Sequence, residues 1–189
     1  MEGFLSEIIR TFNHIVRDVF IYFTSGAIVL MNILVVDYFY YEQSLYKTID
    51  SKFLIFVSLV SCYVIGHICM AFYYLLLELT GFNKKVQKYK KIDIEKESLL
   101  PKLYSKKTQL YIHFVERYDN LTLMRWNLSS AFFINFITAF IYTNFIQNHW
   151  QISLLKYLFL AFSILMYLLY LETEKEYVKR INLIKKLKI

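Results

Sequence analysis

The chain has 189 residues, of which 57% are apolar and 19% aromatic, with a mean hydropathy of +0.39 and a formal net charge of +7. That composition is too apolar for the surface of an ordinary soluble domain of this length, and it points to an integral membrane protein. Four Gly and one Pro supply too few turn formers for a β architecture or a glycine-rich phosphate loop, so the expected fold class is all-α.

From Phe4 to Phe20 the apolar residues Phe4, Leu5, Ile8, Ile9, Phe12, Ile15, Val16, Val19 and Phe20 recur at spacings of three and four, opposite Arg10, Asn13, His14, Arg17 and Asp18. Residues 1–18 therefore read as an amphipathic interfacial helix, lying in the headgroup plane or packed on the ends of other helices before the chain turns into the bilayer. Residues 19–79 hold the first two spans. The first, 19–41, carries no charge until Asp37 and closes on Tyr38, Phe39, Tyr40 and Tyr41, which suit a membrane interface. The second, 53–77, has no formal charge, and Gly81 is positioned to end its helix.

Residues 80–127 form a basic region with eleven of the 22 Lys and Arg residues. Pro101 divides it, and because no Gly or Pro follows from Lys102 to Ile146, its second part reads as a helix that runs directly into span three. Residues 128–171 form a hairpin of spans three and four, 128–146 and 152–171, joined by only five residues and interrupted by one charge, Lys156. Trp126 and Trp150 bracket span three about 36 Å apart along a helix, the separation of two interfacial aromatic belts. Residues 172–189 continue span four as a basic amphipathic helix carrying Tyr177, Ile181, Ile184 and Leu187, with Glu176 and Arg180 in a favourable i, i+4 pair.

Nineteen Lys and Arg residues then lie in the amino-terminal, central and carboxy-terminal segments, against Lys47 and Lys52 in the connection between spans one and two. The positive-inside rule puts both termini and the central region in the cytoplasm. No basic start, short apolar core and small-residue cleavage site occur in that order, so no signal peptide is expected. The abundance of Lys, Ile, Tyr, Phe and Asn suits a bacterial chain from an AT-rich genome. The expected location is therefore a bacterial inner membrane, multi-pass.

His67 lies near the middle of span two, and an ionisable group inside a membrane points to a pore lining, a proton relay or a ligand site. The alternative is interhelical glue, with Asn32 of span one or Asn135 of span three as partner. Asn135, Thr138 and Tyr142 share a face of span three, and Ser163, Tyr167 and Tyr170 a face of span four; facing one lumen they would form a weakly polar path, and facing each other a bundle core. Ser58, Cys62, Gly66 and Cys69 give span two a face of small residues that allows close helix packing, against span one or a second copy. Cys62 and Cys69 stand about 10 Å apart along a helix, too far for a disulfide. His67 is rotated well away from Cys62, so no metal site is expected there, and no cofactor motif occurs.

Lys84, Lys85, Lys88, Lys90 and Lys91 would attract anionic lipid at about 1 kcal/mol each, and the same charge could hold a cytoplasmic protein, a nucleotide or nucleic acid. No zincin, Walker, nucleophile-elbow or paired-cysteine motif is present, so catalysis is not expected. In overall plan the chain resembles the small four-span membrane components of bacterial antiphage systems, and that resemblance implies an oligomeric pore or channel-like effector. Two other readings remain open: a membrane anchor or sensor that recruits a partner through its basic face, and an integral membrane lipid-modifying enzyme.

Overall fold

The computed structural model describes residues 2–40, 51–79, 117–146 and 149–186, and every element among them is helical. Helix α1 is Glu2–Tyr40, α2 is Ser51–Leu79, α3 is Arg117–Ile141 and α4 is Trp150–Lys186. A π-helical turn, Tyr142–Ile146, extends α3 to the connection with α4. Four stretches are long and apolar enough to cross a membrane: Asp18–Tyr40, Ile55–Phe72, Asn120–Ile146 and Trp150–Tyr177.

One boundary differs from the sequence reading. The chain does not turn near residue 18; α1 is one unbroken helix of 39 residues, about 58 Å long. Between Phe4 and Ser25 there is neither Gly nor Pro, so nothing interrupts the backbone ladder where the composition changes from amphipathic to apolar. Helix α3 passes through residues 127 and 128 without a break, as expected of a stretch free of Gly and Pro. The expected helix upstream of Arg117, Lys84 to Lys91 and the connection after Tyr40 lie outside the described residues. Helix α4 does continue past span four to Lys186. Glu176 reaches Lys179 at 3.7 Å; the side chain of Arg180 is outside the described set.

The helices form two antiparallel hairpins, α1 with α2 and α3 with α4, and α3 also packs on α1 and α2. We call the end of the bundle that holds Tyr40 and Trp150 the hairpin end, and the opposite one the terminal end. Small residues set the α1–α2 crossing. Gly26 lies against the backbone of Cys62, and Gly66 against the backbone of Tyr22, so each helix presents a glycine to a carbonyl of the other. Cys62 and Cys69, both free thiols, are buried on this face. The neighbour of the small-residue face of α2 is therefore α1 of the same chain.

The α3–α4 hairpin is clasped by two serines. The Ser129 hydroxyl donates to the Ser163 carbonyl at 2.9 Å, and the Ser163 hydroxyl donates to the Ser129 carbonyl at 3.0 Å. Both residues are buried. Toward the terminal end the Arg125 guanidinium donates to the Leu169 carbonyl at 3.0 Å and to the Thr173 hydroxyl. Because each hydroxyl donates to the other residue's main-chain carbonyl, Ser129→Ala and Ser163→Ala each remove one bond. Each is expected to cost about 0.6 kcal/mol, the typical strength of such a bond between membrane helices, and the two losses to add in the double variant, read by denaturation in detergent. Two variants as stable as the wild type would mean that the reciprocal pair does not form.

The interior is small and polar and the surface large and apolar, the reverse of a soluble domain. Buried residues include Ser25, Asn32, Asn127, Ser129, Ser130 and Asn135, beside Val29, Cys69 and Ala131. Exposed residues include Phe20, Met31, Phe53, Ile55, Phe56, Leu75, Phe145 and Leu168. Such a bundle gains little from the hydrophobic effect in lipid and is held by close packing and interhelical hydrogen bonds.

Candidate functional site: a polar seam between α1 and α3

Helices α1 and α3 run in the same direction, and their contacts advance together along the bundle. At the first level the Asn127 carboxamide donates to the Ser25 hydroxyl at 2.8 Å and to the Ile21 carbonyl at 3.4 Å. At the second, Asn135 Nδ2 donates to the Ile28 carbonyl at 3.1 Å. At the hairpin end α4 joins them, where Val36, Ala139 and Ile152 form a buried cluster and Tyr40 packs on Tyr142 and His149 at ring separations of 5.2 and 5.0 Å. Asp37 is buried at the same end of α1.

The Ile28 carbonyl that Asn135 reaches lies one turn before Asn32. In an α-helix that carbonyl accepts from the amide of the residue four positions on, which is Asn32, so the Asn135 side chain enters α1 on the turn that carries Asn32. Both side chains are almost wholly buried, Asn32 4% and Asn135 0% exposed. Asn32 Nδ2 and Asn135 Oδ1 have no hydrogen-bond partner among the described residues, and neither does Asn127 Oδ1. A donor and an acceptor are thus left unused at one level, with a second acceptor about 12 Å along α3. Buried polar atoms of this kind are uncommon, because leaving one unpaired costs about 1–3 kcal/mol.

Lys156 of α4 closes the hairpin end. It is 8% exposed, its ammonium donates to the Thr143 hydroxyl at 3.3 Å, and it lies 5.5 Å from the ring centre of Phe140 and 5.1 Å from that of Tyr157. The π-helical turn presents Thr143 to it, and the Thr143 hydroxyl in turn donates to the Ala139 carbonyl at 2.9 Å. A cation so placed is held by the negative faces of two rings and one hydroxyl oxygen.

The residues singled out by sequence fall in different places. Asn32 and Asn135 are both buried, and Asn135 reaches the α1 carbonyl of Ile28, one turn before Asn32. Thr138, half-buried, donates to the Ile134 carbonyl of its own helix at 2.9 Å, and Tyr142 packs on Tyr40 at the hairpin end. His67 is not brought to Asn32 or Asn135. It is exposed on α2, its ring stacks on Tyr22 with centres 3.7 Å apart, and Nδ1 lies 3.0 Å from the Tyr63 carbonyl, an acceptor that fixes the proton on Nδ1. Tyr22 precedes Asn32 by ten residues, about 15 Å of helix. Ser163 faces Ser129, and Tyr170 packs on Trp126 at 4.7 Å, so the stripes of spans three and four serve separate junctions and do not share a lumen.

Trp126 also departs from the belt expectation. It is 8% exposed, covered by Tyr74 and Tyr170, whereas Trp150 is 72% exposed. Asn127, Ser25 and the Lys156–Thr143 contact are the seam members that sequence reasoning did not single out. A lone charge in an otherwise neutral span was the signal for Lys156; Asn127, two residues from Arg125, was masked by the neighbouring charge. Among the described residues no group of three or more His, Cys, Asp or Glu side chains could hold a metal ion. No protein-family model, curated protein sequence or solved structure is significantly similar to the chain.

Proposed function

We propose that this chain is a pore-like protein of a bacterial inner membrane, with both termini in the cytoplasm, that provides a narrow polar path between α1 and α3. One observation carries the reading. Ser25 with Asn127, Asn32 and Asn135, and Thr143 with Lys156 place buried polar groups at three successive levels, alternating with the buried apolar residues Val29, Ala131, Val36 and Ala139, inside a bundle whose outer surface is apolar. From Asn127 to Thr143 these levels extend about 24 Å, most of a hydrocarbon core of about 30 Å. Polar groups that act only as interhelical glue pair with one another, and Asn32 Nδ2 has no hydrogen-bond partner among the described residues. The orientation follows from the unequal distribution of Lys and Arg along the chain. The seam is formed within one chain, so the path needs no second copy.

The test is a permeability panel on liposomes containing the purified protein, covering protons, K+, Cl−, water and small neutral solutes. Permeability to at least one of these above that of protein-free vesicles is expected. Equality across the whole panel would reject a path of any kind and leave the seam as packing.

A further inference from the structure

Resting on that reading, we infer that the seam passes small uncharged hydrogen-bonding molecules, water foremost, and excludes metal cations. The chemistry of the Asn32–Asn135 level carries the inference. Asn32 Nδ2 offers N–H donors and Asn135 Oδ1 offers lone pairs, both unused and both more than nine-tenths buried. The orientation of the Asn135 carboxamide is set by its other atom, because Nδ2 is engaged by the Ile28 carbonyl, which only accepts. A molecule that is both donor and acceptor satisfies either atom, as water does in buried polar sites. A metal cation would be bound by Oδ1 and repelled by the hydrogens of Nδ2.

The rest of the seam agrees. A hard cation requires several oxygens converging on one point, yet of the buried carboxamide oxygens without a partner among the described residues, those of Asn127 and Asn135 stand about 12 Å apart along α3, and that of Gln151 is on α4, in its first turn. The carboxylate at the hairpin end, Asp37, is already engaged in the fold. At the same end the buried Lys156 ammonium sets a fixed positive charge among apolar and aromatic groups. In a low-dielectric surrounding such a charge raises the barrier to any cation passing near it, the device by which water-selective pores exclude ions.

Stopped-flow osmotic water permeability and K+ flux are measured on the same proteoliposomes, for the wild-type chain and for Asn32→Leu. The substitution removes an Nδ2 that has no hydrogen-bond partner among the described residues and keeps a side chain of similar size, and mass and melting in detergent verify that the fold is retained. Water permeability is expected to exceed that of protein-free vesicles, to lose its protein-dependent part in Asn32→Leu, and to occur without K+ flux. K+ flux in the wild type would overturn the selectivity while leaving the path. Water permeability untouched by Asn32→Leu would overturn the assignment to this level. Silence toward water and all ions would overturn both the inference and the path.

Discussion

Replacing Gly26 by Leu is expected to pull α1 away from α2 and to leave a chain that no longer behaves as a single species in detergent. A Cβ at position 26 would fall inside the backbone carbonyl group of Cys62, and one at position 66 inside that of Tyr22. Neither neighbour is a flexible side chain that could rotate aside, so relief requires one helix to translate relative to the other. Overpacking usually costs about 1–3 kcal/mol and occasionally more; a backbone-to-backbone clash belongs at or above the upper end. Gly26→Ala should already lower the melting temperature, and Gly26→Leu should abolish a cooperative transition. Met31→Leu, on an exposed position of the same helix, serves as the control. A Gly26→Ala protein that melts with the wild type would refute the close crossing.

The second large effect concerns charge. Lys156→Glu is expected to destabilise the bundle by about 3 kcal/mol or more, the scale of a buried charge left without compensation. The carboxylate would replace an ammonium that now faces two aromatic rings, whose negative faces attract a cation and repel an anion. Lys156→Met should stay within about 1.5 kcal/mol of the wild type, because it keeps the length of the side chain and abolishes the need to bury a charge. The Thr143 hydroxyl retains its bond to the Ala139 carbonyl when the lysine is gone. Chemical denaturation of the two variants in one detergent distinguishes the cases; equal loss in both would mean that the contacts of the ammonium with Thr143, Phe140 and Tyr157, lost in either variant, outweigh the cost of burying a carboxylate.

The spans were legible because lipid imposes a demand that sequence answers directly: about twenty residues without charge, bounded by basic or aromatic groups. The runs ending near Asp37, Glu78 and Gln147 meet it, and each coincides with a helix. Helix rotation was not legible, since a mostly apolar span lacks the contrast between faces that marks a soluble helix. His67 shows the consequence. It is the most singular residue of its span by type, yet it stacks on Tyr22 at the surface of the bundle, while Asn127, next to Trp126 and close to Arg125, enters the centre.

Arg125 explains how that is possible. Its guanidinium reaches across to Leu169 and Thr173 on α4, so the charge is taken up toward the terminal end while the residues two positions on remain inside. A reading that closes a span at the first charge loses one helical turn in such a case. Of the candidate site, Asn32 and Asn135 were legible only as intramembrane polar residues and as alternative partners for His67, which instead contacts Tyr22 and Tyr63; the spare donor and acceptor were not legible, since they depend on which carbonyl each carboxamide finds.

The parallel course of α1 and α3 also constrains the order in which the protein can be made. Asn135 follows Asn32 by about 100 residues, so at typical rates of synthesis it appears about 5–20 s later. The glycine crossing of α1 and α2 needs only those two helices and can close in the meantime. For that interval Ser25 and Asn32 have α2 beside them but not the helix that completes their surroundings. A chain stalled before α3 therefore holds the Ser25 hydroxyl on the Ile21 and Tyr22 carbonyls of its own helix, while the Ile28 carbonyl still lacks the carboxamide that Asn135 brings to it.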